Sequence, residues 1–98
     1  MSWTVILEDE NRGEVISLGK EFSLKSFETI VKNRDIKLIK YLDPYGDTIF
    51  NCAQMKDLIS DLEYIMQTEP ANQVIDEIIL FAQKCLNHPH HYLVFYGD

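Results

Sequence analysis

The chain predicts an α+β fold: a small, mainly antiparallel sheet of three or four strands with a helical hairpin packed on one face. Three observations lead there. Residues 3–8 and 92–96 are short runs rich in aromatic and β-branched side chains. Two longer segments, 51–67 and 69–86, carry apolar residues at helical spacing. Only a few residues join those two segments, which makes them antiparallel neighbours.

In residues 3–8, Trp3, Val5 and Leu7 alternate with Thr4 and Ile6. Residues 9–13 read as a turn, with Asn11 and Gly13 suited to positive φ. Residues 14–18 return as a second strand, and Gly19 ends the hairpin. Ser23 is placed to cap a helix through Lys32, with Leu24, Phe27, Ile30 and Val31 on one face. Residues 37–42 fit either a helical turn or a strand. In Asp43-Pro44-Tyr45-Gly46, Pro44 sets φ and Gly46 tolerates the left-handed region. A short extended piece, 47–50, follows.

Asn51 and Gln54 match a capping box. The helix it opens buries Met55, Leu58, Ile59, Leu62 and Met66. Pro70 suits the first turn of the next helix, where its missing N–H does no harm. That helix turns Val74, Ile75, Ile78, Ile79, Ala82, Cys85 and Leu86 inward. Asn87-His88-Pro89 stops it, and the last strand is expected beside the first.

Ninety-eight residues, 46% of them apolar, make a single domain, 1–98, able to bury its own core. No secretory signal is visible at the start and no apolar run approaches a membrane span. Cys52 and Cys85 fall inside apolar helical patterns and read as small buried thiols in a reducing compartment. The expected setting is cytoplasmic, without membrane contact.

Charge is unevenly placed. Residues 1–42 hold seven acids and seven bases; residues 43–98 hold nine acids and two bases, Lys56 and Lys84, and so carry the whole −7. Nucleic acid is a poor ligand for such a surface, because phosphate binding needs basic side chains. A basic protein partner suits it better, although solubility alone also accounts for acidity.

Candidate chemistry is sparse. His88, His90 and His91 offer imidazoles, but Pro89 splays them and no second cluster completes a tetrahedral site. A solvated helix stop accounts for them. Asp43 and Asp47 bracket a turn and read as turn-stabilising carboxylates, not an acid–base pair. Cys52 near a helix start reads as a core-facing thiol. No catalytic residue, cofactor or metal is expected. The leading binding surface is the outer side of the helical hairpin. Asp57, Ser60, Asp61 and Tyr64 project opposite the core stripe of one helix, and Asp76 and Leu80 lie outward on the next.

DPYGDTIFNCAQ at 43–54 together with PHHYLVFYGD at 89–98 resembles a group of small acidic bacterial proteins that share an N-terminal LEDE strand, matched by residues 7–10. Asp43, Tyr45, Gly46, Asp47, Asn51, Gln54, His91, Tyr92, Gly97 and Asp98 carry the resemblance. In size and acidity the chain also resembles immunity proteins of polymorphic or contact-dependent toxins. That likeness implies a non-enzymatic inhibitor of a cognate toxin domain, for instance a basic nuclease. The alternative is a structural or regulatory homo-oligomer joined through the last helix and Leu80.

Overall fold

The computed structural model describes residues 2–25 and 27–97. It has a sheet of strands β1 (Ser2–Glu8), β2 (Glu14–Ser17), β3 (Phe22–Ser23), β4 (Asp47–Asn51) and β5 (Tyr92–Gly97). All pairings are antiparallel, in the order β2-β1-β5-β4, with β3 continuing the β2 side of β1. Helices α1 (Phe27–Val31), α2 (Met55–Thr68) and α3 (Val74–Leu86) complete the α+β fold, and the α2–α3 hairpin packs against the sheet. The last strand does lie beside the first, with Val5 opposite Phe95.

Alternation decides the core. Trp3, Val5 and Leu7 on β1 and Leu93 and Phe95 on β5 are buried beneath the helices. The helices contribute Met55, Leu58, Leu62 and Ile65 from α2 and Ile75, Ile78, Ala82 and Cys85 from α3. An aromatic chain runs through the centre. Trp3 lies 5.9 Å from Phe22 and 5.3 Å from Phe27, and Phe95 lies 6.0 Å from Phe22 and 5.8 Å from Phe50. These are separations at which tilted and edge-on rings attract.

Several sequence expectations need correction. Ser23 caps no helix; Phe22 pairs with Trp3, so Ser23 is held in a strand. The helix is consequently shortened to Phe27–Val31. In the first turn it is Arg12, with φ of 65°, that adopts the left-handed region, not Asn11 or Gly13, and Gly46 does not adopt it either. Asp9 makes this possible by accepting from the N–H groups of Asn11 (2.9 Å) and Gly13 (2.8 Å) on either side. Residues 39–41 form a single 3-10 turn. Pro70 precedes α3 and does not sit in its first turn: the Asn72 N–H donates to Glu69 O at 3.0 Å and delays the helix to Val74. Leu86 is exposed, and Phe81 is buried in its place.

The capping box forms as expected, with Gln54 N–H donating to Asn51 Oδ1 (3.2 Å) and Asn51 N–H to Gln54 Oε1 (2.9 Å). It opens a 3-10 turn, Cys52–Gln54, that runs straight into α2.

The sheet face away from the helices buries Val94 and Glu8 without their help. Val94 is 0% exposed. It pairs with Ile6, while Tyr96 sits opposite Thr4 and Glu8 opposite Tyr92. The Tyr96 hydroxyl donates to the Glu8 carboxylate. The two side chains can meet only by leaning toward each other along the face, over the Ile6–Val94 pair. Arg12 closes the cluster, with Nε 2.6 Å from Glu8 Oε1 and Nη2 3.3 Å from the Tyr96 hydroxyl. The bond to Glu8 raises the Tyr96 phenol above its ordinary pKa.

Of the four glycines, Gly97 marks the tightest approach. A Cβ there would lie 2.4 Å from Asp43 O and 2.6 Å from Pro44 backbone atoms. Gly97→Ala is therefore expected to force β5 and the 43–46 turn apart and to destabilise the fold by about 2 kcal/mol or more, read as a lowered midpoint in urea.

Candidate functional site

The hairpin surface named from the sequence divides into three parts. Asp61 is not on an outward face at all: it is 1% exposed. Its Oδ1 accepts the N–H of Lys37 at 2.9 Å, and its Oδ2 accepts those of Leu38 at 2.7 Å and Ile39 at 3.0 Å. The 3-10 turn Ile39–Tyr41 has no side-chain cap of its own. Asp61 supplies one from α2, satisfying donors that a helix start leaves open and placing a carboxylate at its positive end. Its role is to pin the 37–39 segment to the helix.

Asp57 is exposed, but its Oδ1 lies 3.3 Å from Lys37 Nζ. The Tyr64 hydroxyl accepts from Asn33 Nδ2 at 2.6 Å. Both side chains thus face the 33–39 segment and stabilise its docking. Ser60, Asp76 and Leu80 are exposed on the outer side of the hairpin, where Lys56 and Glu63 also lie. That surface mixes charges, so the expected concentrated acidic face around Asp57, Asp61 and Tyr64 does not form.

A different segment combines rigidity with exposure. In the 43–47 turn, Asp43 Oδ1 accepts the Tyr45 N–H at 2.9 Å, and the Asp43 N–H donates to Thr48 Oγ1 at 3.2 Å. The indole Nε1 of Trp3 donates to Asp43 O at 2.9 Å, and the Gly97 N–H donates to Gly46 O at 2.8 Å. Trp3 is itself wholly buried, so the turn is anchored to the core. The turn nonetheless displays Tyr45 at 84% exposure. Asp47 and Ile49 follow on the uncovered face of β4, opposite Tyr96 and Val94. Tyr41, also exposed, lies beneath Lys40 Nζ at 5.4 Å from its ring centre. Among the described residues β4 pairs only with β5 and forms one end of the main sheet.

In the sequence this turn reads as structural, and Asp43 has that role. Tyr45 does not stand out there as a contact residue. The available signal was an aromatic inside a proline–glycine turn, away from any apolar periodicity that would bury it.

The histidines do something else. His88 and His91 stack with ring centres 4.6 Å apart, and His90 Nδ1 lies 3.6 Å from Glu10 Oε2. Among the described residues no three potential ligands converge as a metal site, and none of the described helices is long and apolar enough to cross a membrane. Cys52 is half-buried against the core and Cys85 is fully buried, both as free thiols. Burial, with a smaller contribution from nearby Cys52, pushes the Cys85 thiol up to about 11.

Comparison with protein-family models, curated proteins and solved structures finds no match to the chain.

Asp61→Ala strands buried backbone donors and is expected to cost about 3 kcal/mol of stability, measured by urea unfolding, with early loss of amide exchange protection at residues 37–39. The raised Cys85 pKa stabilises the fold fully below the ordinary thiol value of 9.0, and that contribution is lost as pH rises through about 11. Cys85→Ala is expected to flatten the decline in stability over that window. In native protein at neutral pH, a thiol reagent should label Cys52 well before Cys85.

Proposed function

We propose that the protein is an immunity-type inhibitor, a non-catalytic module that binds and neutralises a basic toxin domain such as a nuclease. Its contact surface is the 43–47 turn with the adjoining uncovered face of β4. The observation that carries this reading is Tyr45, 84% exposed on a turn that Trp3, Thr48 and Gly97 hold in place. An aromatic side chain on a fixed support loses little freedom on binding, which is the property of an interface anchor. Asp43 and Asp47 flank it, and Ile49 extends it with apolar area. The net charge of −7 favours encounter with a cationic partner.

The reading transfers the contact from Asp57, Asp61 and Tyr64, which are engaged within the chain, to Tyr45 and Asp47. The test is to examine the neighbouring genes for a toxin domain and to co-express this chain with it. Tyr45→Ala is expected to weaken the complex about 30-fold, the equivalent of about 2 kcal/mol, and to abolish growth protection at an unchanged melting temperature. Asp47→Lys should slow association at low salt. Full protection by both variants would remove this surface from the proposal, and a toxin unaffected by the wild-type protein would remove the function.

A further inference from the structure

At the opposite end of the main sheet from Tyr45, β2 is the terminal strand and runs beside α3. Between them lies an apolar groove lined by Ile16, Leu18, Leu80 and Phe81, with Glu77 and Lys84 on its rim. Leu80 is 56% exposed in the middle of an otherwise amphipathic helix. Among the described residues neither Glu77 nor Lys84 makes an ion pair within the chain.

We infer that this groove docks a second copy of the chain across a two-fold axis near Leu80, with the two α3 helices antiparallel. Glu77 precedes Leu80 by three residues and Lys84 follows it by four, so both lie on the Leu80 side of the helix. Rotating one copy by half a turn about an axis between Leu80 and Phe81 brings Glu77 of each chain opposite Lys84 of the other. The acid and the base exchange places, and Leu80 packs against its equivalent. A closed two-fold contact requires this self-complementarity.

The rim also argues against the basic partner proposed above. Lys84 is one of only two bases in residues 43–98, and it stands where such a partner would meet repulsion. The groove is neutral at its rim on a molecule of net charge −7, which suits a surface of the same composition. Because each copy carries that negative charge, the copies repel at long range. The association should tighten as salt rises toward physiological strength, where charges are screened beyond about 8 Å. The Tyr45 turn lies at the far end of the main sheet, so pairing leaves it free in both copies.

Sedimentation velocity of the full chain over a dilution series tests the inference. The wild-type protein should pass from the 11.5 kDa monomer toward twice that mass as concentration rises. Leu80→Glu, an exposed substitution that spares the core, should remain monomeric. Lys84→Glu should weaken association at least tenfold by setting acid against acid. The double exchange Glu77→Lys with Lys84→Glu should restore it, since the swapped rim is again complementary to itself. A wild-type chain still monomeric at millimolar concentration overturns the inference. So does a double exchange that associates no better than Lys84→Glu alone. Tyr45→Ala should leave this equilibrium unchanged, so failure here is distinguishable from failure of the inhibitor reading.

Discussion

The contact between Gly97 and the backbone of Asp43 and Pro44 is the constraint on which the proposed surface depends. It exists because the last residue of β5 has no side chain, which lets a turn that precedes β4 lie directly on the end of the neighbouring strand. The Gly97 N–H then reaches Gly46 O, and the Trp3 indole reaches Asp43 O. Two strands distant in sequence thereby fix one turn. Tyr45 can stand almost wholly in solvent without the turn collapsing onto the sheet, because Gly97, Trp3, Thr48 and Asp43 hold the turn and the tyrosine ring does not.

A second constraint acts on the other half of the molecule. Residues 33–41 contain little regular structure, yet Ile36 and Ile39 are buried. Asp61 makes that possible by accepting three consecutive N–H groups from residues 37–39. A carboxylate is suited to this because it offers two oxygens and several lone pairs to converging donors. The acidic residues of the back half of the chain therefore divide by task. Asp61 organises the backbone, Asp57 pairs with Lys37, and Asp43 locks its own turn, while Asp47, Glu63, Asp76 and Glu77 remain on the surface. The charge imbalance seen along the sequence is real, but much of it serves the interior or is spread over several faces.

The uncovered face of the sheet is treated differently from the helical side. Over Ile6 and Val94 the cover comes from Tyr96, Glu8 and Arg12 rather than from a helix. The cover is made of polar tips on apolar or extended stems, so the face stays hydrated at its surface while Val94 stays dry. Ile49, one strand further on, lies outside that cover and is left exposed beside the Tyr45 turn.

The two periodicities of the chain, two in the strands and near 3.6 in the helices, were sufficient to place β1, β5, α2 and α3 and most of their buried residues. The capping box was readable because its partners are three residues apart. Local spacing could not reveal Asp61. It lies at the margin of the α2 stripe, in the place that Phe81 occupies on α3, each just before a buried Leu62 or Ala82. Whether such a marginal position faces water or the interior depends on what packs beside it, and for Asp61 that is the 37–39 segment. The same reason hid Ser23 in a strand and exposed Tyr45. The sequence by itself determined which segments are regular and where the net charge lies, because those properties reside in neighbouring residues. Tertiary structure alone decided that Asp57, Asp61 and Tyr64 are engaged and Tyr45 displayed, because the partners of those side chains come from parts of the chain far away along it.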